Sequence, residues 1–273
     1  PEEIYVARKD SPMIIGVIDG EDGKSGNAYV ASDVPAILNY TRNVYYIGNL
    51  EMGRLSKGSA EFYNLDGDQI EKEQVTIQWD AESAEKGGFE HFMMKEIYEQ
   101  PKAISDTLHS FVKDDRIDFE GIGLDEETIK AIRQIHIVAC GSAYHAGIVA
   151  QYVIEDLVKI PVRVELASEF RYRRLLLDKD SLVVVISQSG ETADSLAALR
   201  EAKKKGIRTL AIVNVVGSSI AREADYVFYT LAGPEIAVAT TKAYSAQLIA
   251  GYLLAIEFGR VRGELSEERC NVL

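Results

Sequence analysis

The octapeptide SQSGETAD, Ser187 to Asp194, follows the apolar run SLVVVI and leads into the helix-favouring LAALREAKKK. Ser187, Ser189 and Thr192 carry hydroxyls that donate hydrogen bonds, and residues this small let backbone N–H groups come close to a ligand. Where such a run opens a helix, its amides and the positive end of the helix dipole favour an anion such as phosphate. The same residue types also serve as plain N-caps, worth about 1 kcal/mol with no ligand at all. Two further stretches repeat the pattern, CGSAYHAG from Cys140 to Gly147 and AVATTKAY from Ala237 to Tyr244. Three hydroxyl-bearing junctions predict a shared polar ligand. None contains G-x-G-x-x-G or G-x-x-x-x-G-K-S/T, so a small phosphorylated metabolite is favoured over a dinucleotide or a nucleoside triphosphate.

The elements that must position these junctions come next. After Gln134, apolar β-branched runs (IHIVAC, VRVELA, SLVVVIS, TLAIVNV, YVFYTL) alternate with helical sequence. The helices read as about Tyr144 to Lys159, DSLAALREAKKK, the short SSIAREA and the long AYSAQLIAGYLLAIEFG, with a helical turn in FRYRRLL. That alternation predicts a doubly wound α/β domain with a parallel sheet covered on both faces. In such a sheet ligands bind outside the carboxyl ends of the strands, where the three junctions fall. Upstream, residues 1 to 78 alternate short apolar runs with Asp-Gly and Ser-Pro turn signals, which predicts a β-rich domain of antiparallel hairpins. Between about 79 and 128 the chain turns charged and helix-favouring, with Pro101 forcing a fresh helix start and Met93 and Met94 expected as core filler. The expected division is therefore 1–78, a helical linker at 79–128, and the α/β domain at 129–273.

Composition excludes several classes. With 273 residues, 47% of them hydrophobic, a sizeable core is available, and no apolar stretch approaches the roughly 20 residues a membrane span needs. The start, PEEIYVARKD, has no signal-peptide pattern, so a cytoplasmic setting is expected. A net charge of -13 repels nucleic acid and anionic membrane, and the isolated basic cluster FRYRR reads as a solvated or subunit-facing turn. Cys140 and Cys270 match no metal or redox spacing, and His91, His109, His136 and His145 fit no metal site or triad. No cofactor, no metal and no catalytic residue are expected within this chain, and His136 reads as a satisfied core histidine.

The motifs KEIYEQP, CGSAY, ELASEFRYR, ISQSGETADSLAALR and EIAVATTKAY, in this order, resemble the glucosamine-6-phosphate synthase family, the isomerising glutamine:fructose-6-phosphate aminotransferases. The resemblance implies the end of an N-terminal-nucleophile glutaminase domain, a linker and the first of two SIS (sugar isomerase) domains, in a cytoplasmic homodimer that makes glucosamine 6-phosphate for UDP-N-acetylglucosamine. It implies a phosphate loop of Ser187, Gln188, Ser189 and Thr192, a strand-end loop of Cys140, Gly141 and Ser142 against the sugar phosphate, and an approach to the sugar by Val238, Ala239 and Thr240. Family members usually carry Thr and Ser where this chain has Ser142 and Ala143, so Ala143 offers no side-chain hydrogen bond. Lys242 is left without a role. The chain opens at Pro1 with no N-terminal nucleophile and ends before the family's second SIS domain, so a fragment that binds fructose 6-phosphate or glucosamine 6-phosphate without turnover is expected. Two other classes fit the loops: a non-catalytic sugar-phosphate-sensing SIS module, and a flavodoxin-like carrier, which needs stacking aromatics where only Tyr144 and Tyr244 are near.

Overall fold

The computed structural model describes residues 2–9, 13–18, 26–32, 34, 36–38, 40–77, 86–114 and 116–273. They fall into two compact units, Pro1–Gly87 and Gly88–Leu273.

The first unit holds β1 (Ile4–Ala7), β2 (Ile14–Ile18), β3 (Asn27–Ala31), β4 (Asn43–Tyr46), β5 (Met52–Ser56), β6 (Ser59–Tyr63), β7 (Gln69–Ile70) and β8 (Val75–Thr76). They form two antiparallel sheets of order β1-β5-β6-β7 and β3-β2-β4-β8, as the alternating pattern predicts. Strand β2 is buried on both faces because its side chains alternate: Ile14 packs with Val44 and Ile77, whereas Ile15 and Val17 pack with Leu55 and Phe62 of the other sheet. The Asp66-Gly67 signal is the turn between β6 and β7, where the Gly67 amide donates to Asn64 O at 3.1 Å. The signals at Ser11-Pro12, Asp19-Gly20 and Asp22-Gly23 lie outside the described residues.

The second unit opens with α1 (Phe92–Tyr98), α2 (Gln100–Phe111), the two-residue strands β9 (Val112–Lys113) and β10 (Arg116–Ile117), a 3-10 turn at Glu120–Ile122, and α3 (Glu126–Ala131). Pro101 stands in the first turn of α2, where its missing N–H costs nothing. The alternating part follows: β11 (Gln134–Ala139), α4 (Ser142–Val158), β12 (Val162–Leu166), α5 (Ala167–Phe170), β13 (Ser181–Ser187), α6 (Ala193–Lys204), β14 (Arg208–Val213), α7 (Ser219–Glu223), β15 (Tyr226–Tyr229), α8 (Lys242–Arg262) and α9 (Glu267–Val272). The five strands are parallel in the order β12-β11-β13-β14-β15. Alternate strand residues feed two cores. Ile137, Val184, Ile186 and Ile212 join α4 and α8 on one face, and Val183, Val185, Ala211 and Val213 join α5, α6 and α7 on the other. The result is the expected helix–sheet–helix sandwich.

Two local expectations are overturned. The turn assigned to FRYRRLL comes earlier, at Ala167–Phe170, because fully buried Phe170 anchors it while Arg171 and Arg173 leave the helix to reach Asp194 and Glu165. Met93 and Met94 are 43% and 46% exposed, while Lys95 and Glu96 of the same helix are buried. Polar anchoring, described below, decides which way α1 faces.

Candidate functional site

All five parallel strands end at one edge, and the sheet order reverses direction between β11 and β13. At such a switch point the two crossovers leave on opposite faces and open a crevice between the loops. The loops that leave β11 and β13 are Cys140 and Gly141, with Ser142 opening α4, and Gln188 to Thr192, so the sequence-predicted residues of both flank this point. Val238, Ala239 and Thr240 belong to the segment that follows β15 at the same edge.

Within the β13–α6 loop the hydroxyls first organise the turn. Ser187 Oγ accepts from the Gly190 amide at 3.1 Å and shares a hydrogen bond of 3.1 Å with Thr192 Oγ1, and Ser189 Oγ accepts from the Glu191 amide at 3.2 Å. Acceptor lone pairs are thus spent on the backbone, and Ser189 keeps its own hydrogen to donate. Thr192 occupies the N-cap position of α6 yet makes no side-chain cap. The capping alternative therefore fails here, and the first amides of α6 are left for an outside acceptor. Gly141 likewise caps α4 with no side chain, at φ +59°, and Ser142 stands exposed at the first turn.

The neighbouring helices differ because a carboxylate of the chain already fills their first turns. Glu191 Oε1 accepts from the Ser219 amide at 2.7 Å at the start of α7, and the Ile220 amide donates to Gly190 O at 2.9 Å. At α8, Glu235 Oε1 accepts from the Thr241 and Ala243 amides at 2.8 and 3.1 Å, and its Oε2 accepts from the Thr240 hydroxyl at 2.7 Å. Thr240 thus spends its hydrogen on Glu235 rather than offering it to a ligand. At this edge α4 and α6, the two helices that flank the switch point, have no side-chain cap, as is also true of the four-residue α5. Asp194 in the first turn of α6 is paired with Arg171 at 2.7 Å, which offsets a negative charge beside an anion site.

Sequence reasoning missed the groups that hold these loops. Buried Asn214, the first residue after β14, donates its amide N–H to Gln188 O at 3.1 Å. Its side chain accepts from Thr230 Oγ1 and the Ala232 amide and donates to Gly233 O at 2.7 Å, tying the β13 loop to the segment after β15. A polar residue closing an apolar strand at the carboxyl edge was the available signal. Lys242 is buried, and its Nζ lies 2.7 Å from Glu99 Oε2, a structural ion pair between α8 and the α1–α2 junction. His136 is in the core, but only Nδ1 has a partner, Glu165 Oε1 at 3.4 Å, and the buried Nε2 has none. Cys140 is a half-buried free thiol at the end of β11. Among the described residues no helix is long and apolar enough to cross a membrane.

Residues 128–257 match the SIS domain family model. It is 55% identical over 98% of its length to a glutamine–fructose-6-phosphate aminotransferase (isomerizing) of Clostridium acetobutylicum, and 53% identical over 98% to the enzyme of that name from Caldanaerobacter subterraneus subsp. tengcongensis. In each case the chain spans 43% of the relative's length. Among solved structures, the C-terminal domain of the glucosamine-fructose-6-phosphate aminotransferase from Francisella tularensis superimposes with a TM-score of 0.66 at 42% identity, covering 69% of this chain and 53% of that one. The chain is thus a relative, along almost its whole length, of the isomerising glutamine–fructose-6-phosphate aminotransferases.

Proposed function

We propose that this chain binds the phosphorylated hexose of a glutamine:fructose-6-phosphate aminotransferase reaction, with fructose 6-phosphate as substrate and glucosamine 6-phosphate as product. The phosphoryl group sits on the open N-termini of α4 and α6, held by Ser142, Ser189, Thr192 and the amides around them. Cys140, Gly141, Ser187 and Gln188 shape the two loops, and Val238, Ala239 and Thr240 face the sugar. In this reading residues 1–78 are the end of a glutaminase domain, 79–128 the linker and 129–273 the first SIS domain, working in a cytoplasmic homodimer, as the family resemblance implies. The observation that carries the reading is the contrast among helix starts: α7 and α8 have their first turns filled by Glu191 and Glu235, whereas α6, behind SQSGETAD, has no side-chain cap. Amides at a helix start that the protein itself leaves open are an anion site when hydroxyls surround them.

Calorimetric titration of the chain with glucosamine 6-phosphate and with inorganic phosphate tests this directly. Saturable binding of the sugar phosphate is expected, with loss in Ser189→Phe, which fills the loop, at an unchanged helical circular dichroism spectrum. Equal affinity in wild type and Ser189→Phe would overturn the site.

A further inference from the structure

The segment that precedes α8 has no regular secondary structure between Leu231 and Thr241, yet its second half, from Ile236 to Thr241, is gripped on either side of Val238 and Ala239 by buried carboxylates. Glu235 holds the C-terminal end through Thr240, Thr241 and Ala243, as described. Glu96 of α1 holds the other: it is 2% exposed, and its Oε1 accepts from the Ile236 amide at 2.7 Å and the Ala237 amide at 3.0 Å, across 140 residues of sequence. Its Oε2 is buried with no hydrogen-bond partner. A carboxylate with one unsatisfied oxygen is costly to bury, and an apolar side chain of similar size would pack there more cheaply. Between the two grips Val238 is fully exposed and Ala239 is exposed, so the chain holds a small apolar tip out into solvent. One helical turn from Glu96, Glu99 receives Lys242 Nζ, which steadies the start of α8 from the same helix junction.

We infer that Glu96 is a positioning residue for the hexose: by fixing the Ile236 and Ala237 amides it presents Val238 and Ala239 to the sugar, and so sets affinity for the sugar but not for the phosphoryl group. This rests on the sugar-phosphate reading above. Glu96 lies outside the SIS match at 128–257, so the grip is an addition to the SIS domain. It also explains why Lys95 and Glu96 are buried in α1 while Met93, Met94, Ile97 and Tyr98 face outward.

The test compares wild type, Glu96→Ala, Glu96→Asp and Glu96→Gln in the full 273-residue chain, titrated with glucosamine 6-phosphate and, separately, with inorganic phosphate. Freeing the segment so that it holds its binding shape about a tenth of the time weakens the apparent affinity about tenfold. That loss is expected for glucosamine 6-phosphate in Glu96→Ala and Glu96→Asp, the latter keeping the charge but falling short of the amides. Phosphate affinity should be unchanged in all variants, and Glu96→Gln, whose carbonyl oxygen still accepts, should rescue the sugar phosphate. If Glu96→Ala does not fold, Glu96→Asp decides. Unchanged glucosamine 6-phosphate affinity in the folded variant, or an equal loss for phosphate and sugar phosphate, overturns the role of Glu96. Failure of the wild type to bind glucosamine 6-phosphate overturns instead the reading on which it rests.

Discussion

Gly190 has room for no side chain and a backbone that few other residues adopt. Its φ is +64°, and a Cβ would lie 2.0 Å from Ser218 Oγ and 2.6 Å from Ser218 Cβ. Ser218 is itself fully buried, so it has nowhere to retreat. The close approach lets Gly190 O accept from the Ile220 amide while Ser187 Oγ accepts from the Gly190 amide, which fixes the loop between β13 and α7. Gly190→Ala is therefore expected to lose about 2 kcal/mol or more, the sum of left-handed strain and overpacking. Denaturant unfolding would measure it, and wild-type stability in the variant would refute it. The same variant should weaken phosphate binding, because the α6 amides are aimed by this turn. Ser187, Ser189 and Thr192 were legible as a polar strand-end loop from their types alone. That the Ser187 and Ser189 oxygens are spent on the loop's own amides, and the Thr192 hydroxyl on Ser187, was not, since any hydroxyl can accept as readily as donate.

Strands and helices of the second unit were readable because β13 is buried along its whole length, so it appears in sequence as an unbroken apolar run. Helix starts were not readable in the same way. Whether a first turn is open or filled depends on Glu191 reaching Ser219, 28 residues on, and on a loop carboxylate folding back over α8. Periodicity placed α1 but turned it the wrong way, because it scores apolar residues as inward and has no way to count the loop amides that Glu96 must meet. The elements outside the sheet dock by aromatic packing. Phe111 of α2 stacks on Phe228 of β15 at a centroid distance of 4.0 Å, and Phe119 meets Phe228 edge-on at 6.2 Å. Phe228 is fully buried, so Phe228→Ala removes the shared partner of both rings. A loss of about 3–5 kcal/mol is expected, read as a lower midpoint of the helical circular dichroism signal. A shift of only a degree or two would show that α2 is held by its polar contacts instead.

At the scale of the whole molecule, pH is the variable that reaches the core. Desolvation holds the fully buried His136 imidazole below its ordinary value; Glu165 pulls upward against it, and Arg163 and Arg173 add to the lowering. For Glu165 burial pushes upward, but the hydrogen bonds and charges of Arg173 and His136 outweigh it, so its carboxyl sits below the usual range. Both folded-state values are depressed, so the unfolded chain binds more protons and stability rises with pH. The histidine contribution is complete above about pH 6.5 and is lost as pH falls below it, at no more than about 1.4 kcal/mol per pH unit; the Glu165 contribution follows below about pH 4.3. The net charge of -13 works in the opposite direction, since protonating carboxylates relaxes its self-repulsion, so a raw acid profile mixes the two effects. Comparing wild type with His136→Asn separates them, because the substitution leaves the net charge near neutrality untouched and keeps a donor for Glu165. Below about pH 6.5 the variant is expected to show a flatter fall in unfolding free energy than wild type, with parallel curves above it. Parallel curves throughout would mean that His136 takes up its proton as easily in the sheet as in the unfolded chain, and the buried imidazole would then have no part in the acid sensitivity of this domain.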